Sequence, residues 1–182
     1  MSEPRLTLVD RIVGICDALE QTELPWALGG ALALAYATRE PRGTRAIDVN
    51  VFVEADDAAV VFAALPDGVV FTDADIAEAT SRDQVRLWWD TTPIDLFFAA
   101  DPFHHEVAAR CRVVPFEGGQ IRVLAAEDLA VFKAMFDRTK DWADIEAMVE
   151  SNAIDLQLAA QRLRTVLGDD PRVARLRELT AG

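Results

Sequence analysis

The segment Leu28-Gly29-Gly30 is followed by Arg42-Gly43-Thr44-Arg45-Ala46-Ile47-Asp48-Val49-Asn50. Residues 24–28, ahead of the glycine pair, are predicted to form a short strand, and residues 31–37 a helix that starts at the pair. A Gly-Gly pair between a strand and a helix lets backbone N–H groups approach a phosphate at the positive end of the helix dipole. Such a pair is also common in tight turns, so a phosphate site needs further support.

Two aspartates on predicted strands supply that support. Residues 47–53 alternate with a period of two, which places Asp48 on a polar face whose opposite face is β-branched. Asp95 lies inside Ile94-Asp95-Leu96-Phe97-Phe98, where an unpaired carboxylate is costly. Either aspartate alone could be a solvent-facing residue at a strand end. Together, near a glycine turn, they predict a Mg²⁺ site, because Mg²⁺ takes one or two carboxylates plus phosphate oxygens.

Composition limits the possible function classes. The chain has 182 residues, of which 51% are hydrophobic, enough for one core. Its 31 acidic and 18 basic residues give a net charge of −13, which excludes a broad basic surface for nucleic acid but allows local capture of a nucleotide or an RNA end. Cys16 and Cys111 lack metal-ligand spacing and are expected to be free thiols. The N-terminus does not resemble a signal peptide and the longest apolar run is too short to cross a bilayer, so we expect a cytoplasmic protein with no membrane partner.

The chain order predicts two regions. Residues 1–125 alternate predicted helices and strands and should form an α/β core. Residues 126–182 have helical periodicity throughout, with breaks near 138–141, at 152 and at 168–171, and should pack on that core. The segment 69–81 is ambiguous and is interpreted as a strand followed by a loop.

The motifs in combination resemble the nucleotidyltransferase fold of the DNA polymerase β superfamily, over roughly residues 24–150. The closer likeness is to the bacterial AbiEii/MenT group, whose members often serve as toxins of type IV toxin–antitoxin pairs. That group tends to carry a late helical lysine followed by an Arg-x-Lys-Asp-x-x-Asp run, which here is Lys133 and then Arg138-Thr139-Lys140-Asp141-Trp142-Ala143-Asp144. The resemblance implies an α/β (α+β) fold, with a mixed sheet flanked by helices and a C-terminal helical region. It also implies Mg²⁺-dependent transfer of a nucleoside monophosphate from an NTP to a hydroxyl acceptor.

The resemblance also assigns roles to individual residues. The metal ligands and catalytic carboxylates would be Asp48 and Asp95. The nucleotide would be bound by Gly29, Gly30, Thr44, Arg45 and Lys133, and Lys133 would also offset charge in catalysis. The acceptor would be bound by Arg42, Arg138 and Lys140, with Asp141 and Asp144 as further candidates. Some of these roles have simpler alternatives. Lys133 could pair with Asp137 on the helix surface, and Asp141 could simply cap its helix. Arg138 and Lys140 could equally be surface charge.

Position 46 departs from the family pattern. The family has Asp-hydrophobic-Asp on the first catalytic strand, whereas this chain has Ala46-Ile47-Asp48. Positions 46 and 48 share a strand face, so the family uses both carboxylates to hold metal. Ala46 cannot ligate a metal. The chain is therefore either a naturally inactive member or carries an Asp→Ala change made to inactivate it, and retention of the other motif residues favours the second.

Three functions remain open. The toxin resemblance implies a tRNA 3′ end as acceptor and a cognate antitoxin protein as partner. A small-molecule acceptor of the aminoglycoside type is the second, since an acidic cleft suits a polycation. The third is an inactive regulator that binds nucleotides without turnover. Restoring Asp at position 46 separates the regulator from the enzymes, and labelling of tRNA or antibiotic separates the two enzymes.

Overall fold

A single mixed sheet organises the computed structural model, which describes residues 6–179. Within that range seven strands are hydrogen-bonded in the order β3-β4-β5-β2-β1-β7-β6. The strands are β1 Trp26–Leu28, β2 Ile47–Val51, β3 Val69–Val70, β4 Gln84–Trp89, β5 Thr92–Phe98, β6 Arg112–Phe116 and β7 Gly119–Val123. The α-helices are α1 Leu8–Glu20, α2 Gly30–Thr38, α3 Ala58–Ala64, α4 Asp73–Arg82, α5 Pro102–Arg110, α6 Ala126–Phe136, α7 Thr139–Glu150, α8 Leu156–Leu167 and α9 Pro171–Glu178. The predicted fold class, a mixed sheet flanked by helices, is confirmed.

The centre of the sheet positions the candidate site. Strands β2 and β5 are parallel neighbours, and β1 runs antiparallel to β2 on its other side. The apolar residues of β2 alternate as predicted, so that Ile47, Val49 and Val51 are buried in the core. This alternation leaves Asp48 on the opposite face, at the end of the sheet where α2 begins.

Three boundaries differ from the sequence prediction. The segment 69–81 contains the helix α4 rather than a loop, because Thr72 and Asp75 form a capping box at its start. Strand β2 ends at Val51 and begins at Ile47, so Ala46 lies just before the strand. The break predicted at 138–141 is confined to two residues, and α7 begins at Thr139.

The helices from residue 126 onward pack against helix α2 of the preceding region and against one another. Helices α6 and α7 contact α2, and α8 and α9 cover α6. Leu129, Ile145 and Met148 are buried at the helical spacing from which packing was expected. A division between residues 125 and 126 into separate units stays a prediction. In the described part of the chain, no helix has both the length and the apolarity needed to span a bilayer.

A buried ion cluster joins α5, α6 and α8. The Asp128 carboxylate is fully buried and accepts two hydrogen bonds from Arg110, both of 2.9 Å, and one of 3.0 Å from Arg162. Each charge is compensated, so the cluster fixes how the later helices sit against the core.

Both cysteines are free thiols, as expected. Cys16 is buried, whereas Cys111 is half-buried and is therefore not a core thiol. Burial raises the pKa of each thiol to about 12. Neither thiol is therefore a nucleophile at neutral pH.

We expect Asp128→Asn to destabilise the protein by about 3 kcal/mol, because it leaves two arginines without a buried counter-charge. Urea denaturation measures the change. Glu106→Gln is the matched control, since Glu106 is an exposed carboxylate that contacts the same Arg110. Equal, small effects of both changes would show that the cluster does not stabilise the docked helices.

Candidate active site

The two predicted carboxylates lie side by side. Asp48 on β2 is the register partner of Asp95 on the parallel strand β5. Both side chains project from the same face of the sheet, because paired residues on neighbouring strands share a face. The two aspartates are 47 residues apart in the sequence but are neighbours in the sheet. They therefore form one acidic pair, which the predicted Mg²⁺ site requires.

The glycine pair makes room for the polar groups of β2. The Gly29 N–H donates a 2.9 Å hydrogen bond to the Asp48 carbonyl, so this amide is already used. Gly30 has a φ of +52°, and a Cβ there would overlap the Asp48 carboxylate. A Cβ at Gly29 would lie 2.6 Å from the side-chain nitrogen of Asn50. The glycine pair was predicted to bind phosphate. Both glycines are also needed because side chains of β2 approach their backbone closely.

Helix α2 starts directly beside the acidic pair. Its intrahelical bonding begins with the Ala33 N–H, which donates to the Gly29 carbonyl. The N–H groups of the first turn have no acceptor within the helix. These first-turn amides, beginning with Gly30, are the ones that could bind a phosphate oxygen at the positive end of the helix dipole.

Asp48 is in an environment that opposes its charge. Burial raises the pKa of its carboxyl, and the neighbouring Asp95 charge raises this pKa further. Lys133, Lys140 and Arg86 act in the opposite direction. A bound cation would relieve both the desolvation and the repulsion, and this is the expected behaviour of a metal ligand.

Arg86 holds the second carboxylate. It lies on β4 opposite Asp95, and its Nε and Nη2 donate to the two Asp95 oxygens at 2.7 and 2.8 Å. The sequence analysis did not identify Arg86. The signal was present, because a tight hairpin at Asp90-Thr91 sets the register that places position 86 opposite position 95.

Lys133 is the lysine that the late motif assigns to the nucleotide. Its ammonium is nearly buried and donates to Asp144 at 2.6 Å, with Asp141 at 3.9 Å. It does not pair with Asp137, which instead accepts a hydrogen bond from the Trp142 indole. The structure therefore rejects the surface-pair alternative and brings Lys133 together with both motif aspartates.

Asp141 makes two kinds of contact in addition to the 3.9 Å ion pair with Lys133. Its buried carboxylate caps the start of α7, accepting from the Arg138 backbone N–H. The same carboxylate accepts two hydrogen bonds from the Arg138 guanidinium, at 2.6 and 3.1 Å. The capping interpretation is thus correct, and the cap also orients Arg138, whose guanidinium lies 4.8 Å from the centre of the Phe136 ring.

The loop before β2 places three more predicted residues near the site. The Thr44 hydroxyl donates to the Ala46 carbonyl at 3.0 Å and accepts from the Ala46 N–H, so it shapes the loop. Ala46 lines a small recess together with Gly29 and Asp48. Arg45 is exposed on the same loop, and Arg42 reaches within 3.9 Å of Asp144.

A cleft of about 280 Å³ opens at Asp48. Its lining combines Gly30, Asp48 and Lys133 with apolar and aromatic side chains. The aromatic lining comprises Phe97, Phe98, Phe132, Phe136 and His104. An adjoining cavity of about 360 Å³ shares the Asp48, Phe97, Phe136 and Arg138 walls and adds Arg86, Asp95 and Lys140. Two ligands could therefore meet at Asp48.

The acidic pair fits a Mg²⁺ ion whose other ligands are phosphate oxygens and water. Two carboxylates on one face are enough for such an ion. The described residues contain no group of three or more His, Cys, Asp or Glu side chains that could hold a metal. A third carboxylate would have to come from position 46, beside Asp48.

Comparison with solved structures identifies the fold. A structure of ANT(2″)-Ia in complex with adenylyl-2″-tobramycin matches with a TM-score of 0.53 at 16% identity, covering 93% of this chain and 94% of that chain. The solution structure of the antibiotic-resistance factor ANT(2″)-Ia matches with a TM-score of 0.52 at 16% identity, covering 93% and 88%. The lincomycin-bound lincosamide antibiotic adenylyltransferase LnuA matches with a TM-score of 0.52 at 14% identity, covering 76% and 94%.

These matches show that the chain has the nucleotidyltransferase fold, as predicted. The assignments to the polymerase β superfamily and, within it, to the AbiEii/MenT group stay predictions. No protein-family model matches the chain. The search of curated proteins likewise found no match.

We expect Gly30→Ala to cost about 1–3 kcal/mol and to displace the Asp48 carboxylate, because the new Cβ combines positive φ with steric overlap. Thermal unfolding measures the cost, and the chemical shifts of Asp48 and its neighbours report the displacement. Gly43→Ala is the control, since nothing lies within 4 Å of its Cβ position. If both variants leave these shifts unchanged, Gly30 is not needed for the position of Asp48.

Proposed function

We propose that this chain is a nucleotidyltransferase of the kind that moves a nucleoside monophosphate from an NTP to a hydroxyl acceptor and releases pyrophosphate, and that Ala46 makes the present sequence nearly inactive. The observation that carries the proposal is the register pairing of Asp48 with Asp95 beside the start of α2. Carboxylates and a helix N-terminus at one point are the two halves of a metal–triphosphate site.

Mg²⁺ would be held by Asp48 and Asp95 and would neutralise charge on the triphosphate as the bond to pyrophosphate breaks. The chain's own contribution is positioning and electrostatic stabilisation. First-turn amides from Gly30 onward would bind phosphate oxygens. Lys133 has three N–H donors, so its ammonium can keep its hydrogen bond to Asp144 and still donate to a phosphate.

The aromatic side chains that line the cleft suit the base of the nucleotide. Phe97 follows Asp95 by two residues on the same face of β5, about 7 Å along the strand. Its ring packs edge-on against Phe136 of α6, with 5.7 Å between ring centres. A base packed against these aromatic side chains would leave its phosphates near the acidic pair.

The acceptor that we propose is a tRNA 3′ end, with the protein acting as a toxin that a cognate antitoxin protein restrains. Exposed cations surround the cleft although the whole chain is acidic. Arg138 and Lys140 are exposed at its rim, and Arg42 and Arg45 lie on the loop before β2. The phosphates at the end of an RNA strand need only such local cations. The net charge of −13 therefore does not exclude a tRNA acceptor.

A small polycationic molecule is the second candidate acceptor. The cavity beside Asp95 has the volume of a small-molecule site and includes Glu78 as well as cations. A further cavity of about 380 Å³ is lined by Glu54, Asp56, Asp83 and Asp101. These carboxylates favour a cationic acceptor over a polyanion. The inactive nucleotide-binding regulator is the third candidate.

Ala46→Asp should raise nucleotidyl transfer at least about 100-fold, since it supplies a third carboxylate for charge stabilisation. Transfer is measured with each labelled NTP in the presence of Mg²⁺, using total RNA and aminoglycosides as acceptors. Ala46→Asn is the matched control, because it has the same size without the charge.

Two results would contradict this expectation. Absence of transfer by Ala46→Asp with every NTP, together with absence of Mg²⁺-NTP binding in calorimetry, would exclude the enzyme. Full activity of the chain with Ala46 would show that position 46 is not a metal ligand.

Lys140→Glu distinguishes the acceptors. We expect it to weaken tRNA binding and to lower the salt dependence of that binding by about one unit of log–log slope, while a polycationic acceptor binds more tightly. Arg177→Glu, an exposed and charge-matched change on α9, is the control. We use Lys140 rather than Arg138 because Arg138→Glu would also leave the buried Asp141 without its partner. Equal effects of both variants would place the acceptor elsewhere.

A further inference from the structure

Arg86 occupies both oxygens of one of the two carboxylates in the acidic pair. Its Nε and Nη2 lie 2.7 and 2.8 Å from the two Asp95 oxygens, a bidentate geometry that is among the strongest for an ion pair. The pairing is built into the sheet, because Arg86 and Asp95 are register partners on antiparallel strands. Arg86, Asp95 and Asp48 thus form one row across β4, β5 and β2.

A metal between Asp48 and Asp95 would need the oxygens that Arg86 holds. The Arg86 guanidinium and a divalent cation bound to the same carboxylate would also repel each other, because both are positively charged. The Asp95 carboxylate is mostly buried, with 18% of its side chain exposed, so Arg86 and a metal would have to share the same two oxygens at close range.

Arg86 itself is able to leave. Its side chain is 55% exposed, and its hydrogen bonds in the described residues are those to Asp95. The backbone at position 86 is fixed by β4, so release moves only the side chain toward solvent and the cavity that it shares with Lys140.

We propose that Arg86 is the resident cation of this site and sets its metal affinity by competing with the divalent ion for Asp95. This inference rests on the proposed function, because it takes the acidic pair as the metal site. Arg86 is accordingly a positioning residue, which holds Asp95 in place until metal replaces it.

The test is a Mn²⁺ titration followed by electron paramagnetic resonance, with Mn²⁺ as the probe. We expect Arg86→Gln to bind Mn²⁺ about tenfold more tightly than the parent chain, a typical coupling between competing ligands. Arg82→Gln is the matched control: it removes the same charge from a nearby arginine that pairs with Glu78 instead. The part of the isotherm that Asp48→Asn abolishes defines the site and separates it from general binding to an acidic surface.

A second readout follows Arg86 directly. In protein labelled with ¹⁵N-arginine, Mg²⁺ should shift the Arg86 Nε–H signal as its hydrogen bond to Asp95 is lost, and leave the Arg82 signal unchanged. Equal gains in Mn²⁺ affinity for the Arg86 and Arg82 variants, or an unmoved Arg86 signal while metal binds, would overturn this inference and leave the proposed function standing. Absence of site-specific Mn²⁺ binding in every variant, Ala46→Asp included, would overturn both.

Discussion

The register of two parallel strands is the constraint on which the site depends. Pairing β2 with β5 sets Asp48 beside Asp95 on one face of the sheet, and two like charges at that separation repel. Residues around the acidic pair reduce this repulsion or make room for the pair. Arg86 neutralises Asp95 from the next strand, Lys133 approaches from α6, and Gly30 allows the first turn of α2 to meet the Asp48 carboxylate. A one-residue slip of β2 would turn Asp48 into the core and bury its charge among the apolar residues, so register and site are fixed by the same hydrophobic pattern.

Periodicity and motif spacing predicted most of the fold and the acidic pair, because alternation in β2 and the apolar surroundings of Asp95 are local signals. The carboxylates that pair with Lys133 and Arg86, in contrast, lie on other elements of the fold. Helical spacing alone allows an i,i+4 pair of Lys133 with Asp137. Asp137 instead accepts a hydrogen bond from the Trp142 indole, and Lys133 pairs with Asp144 on the next helix. Arg86 was missed because its role depends on a hairpin register, which only follows once both strands and the turn are assigned together.

Charge in this protein is arranged by position more than by total. The chain is strongly acidic, yet its cations are concentrated where carboxylates are buried or paired. Asp128 is held by Arg110 and Arg162 in the same manner as Asp95 is held by Arg86, although only Asp95 lies at an open cleft. This difference separates a carboxylate that stabilises the packing of helices from one that could exchange its partner for a ligand. Within the acidic pair, Arg86 neutralises Asp95, whereas Asp48 has no such partner among the described residues and its pKa is raised by burial and by Asp95.

We propose that the acidic pair and the start of α2 together form one metal–triphosphate site. The most direct test is diffraction from crystals of the Ala46→Asp variant soaked with Mn²⁺ and a non-hydrolysable NTP analogue, with Mn²⁺ located by its anomalous scattering. We expect an anomalous peak between Asp48 and Asp95, with the triphosphate contacting the first-turn amides of α2 and Lys133. A triphosphate bound elsewhere, or Mn²⁺ without contact to either aspartate, would contradict it.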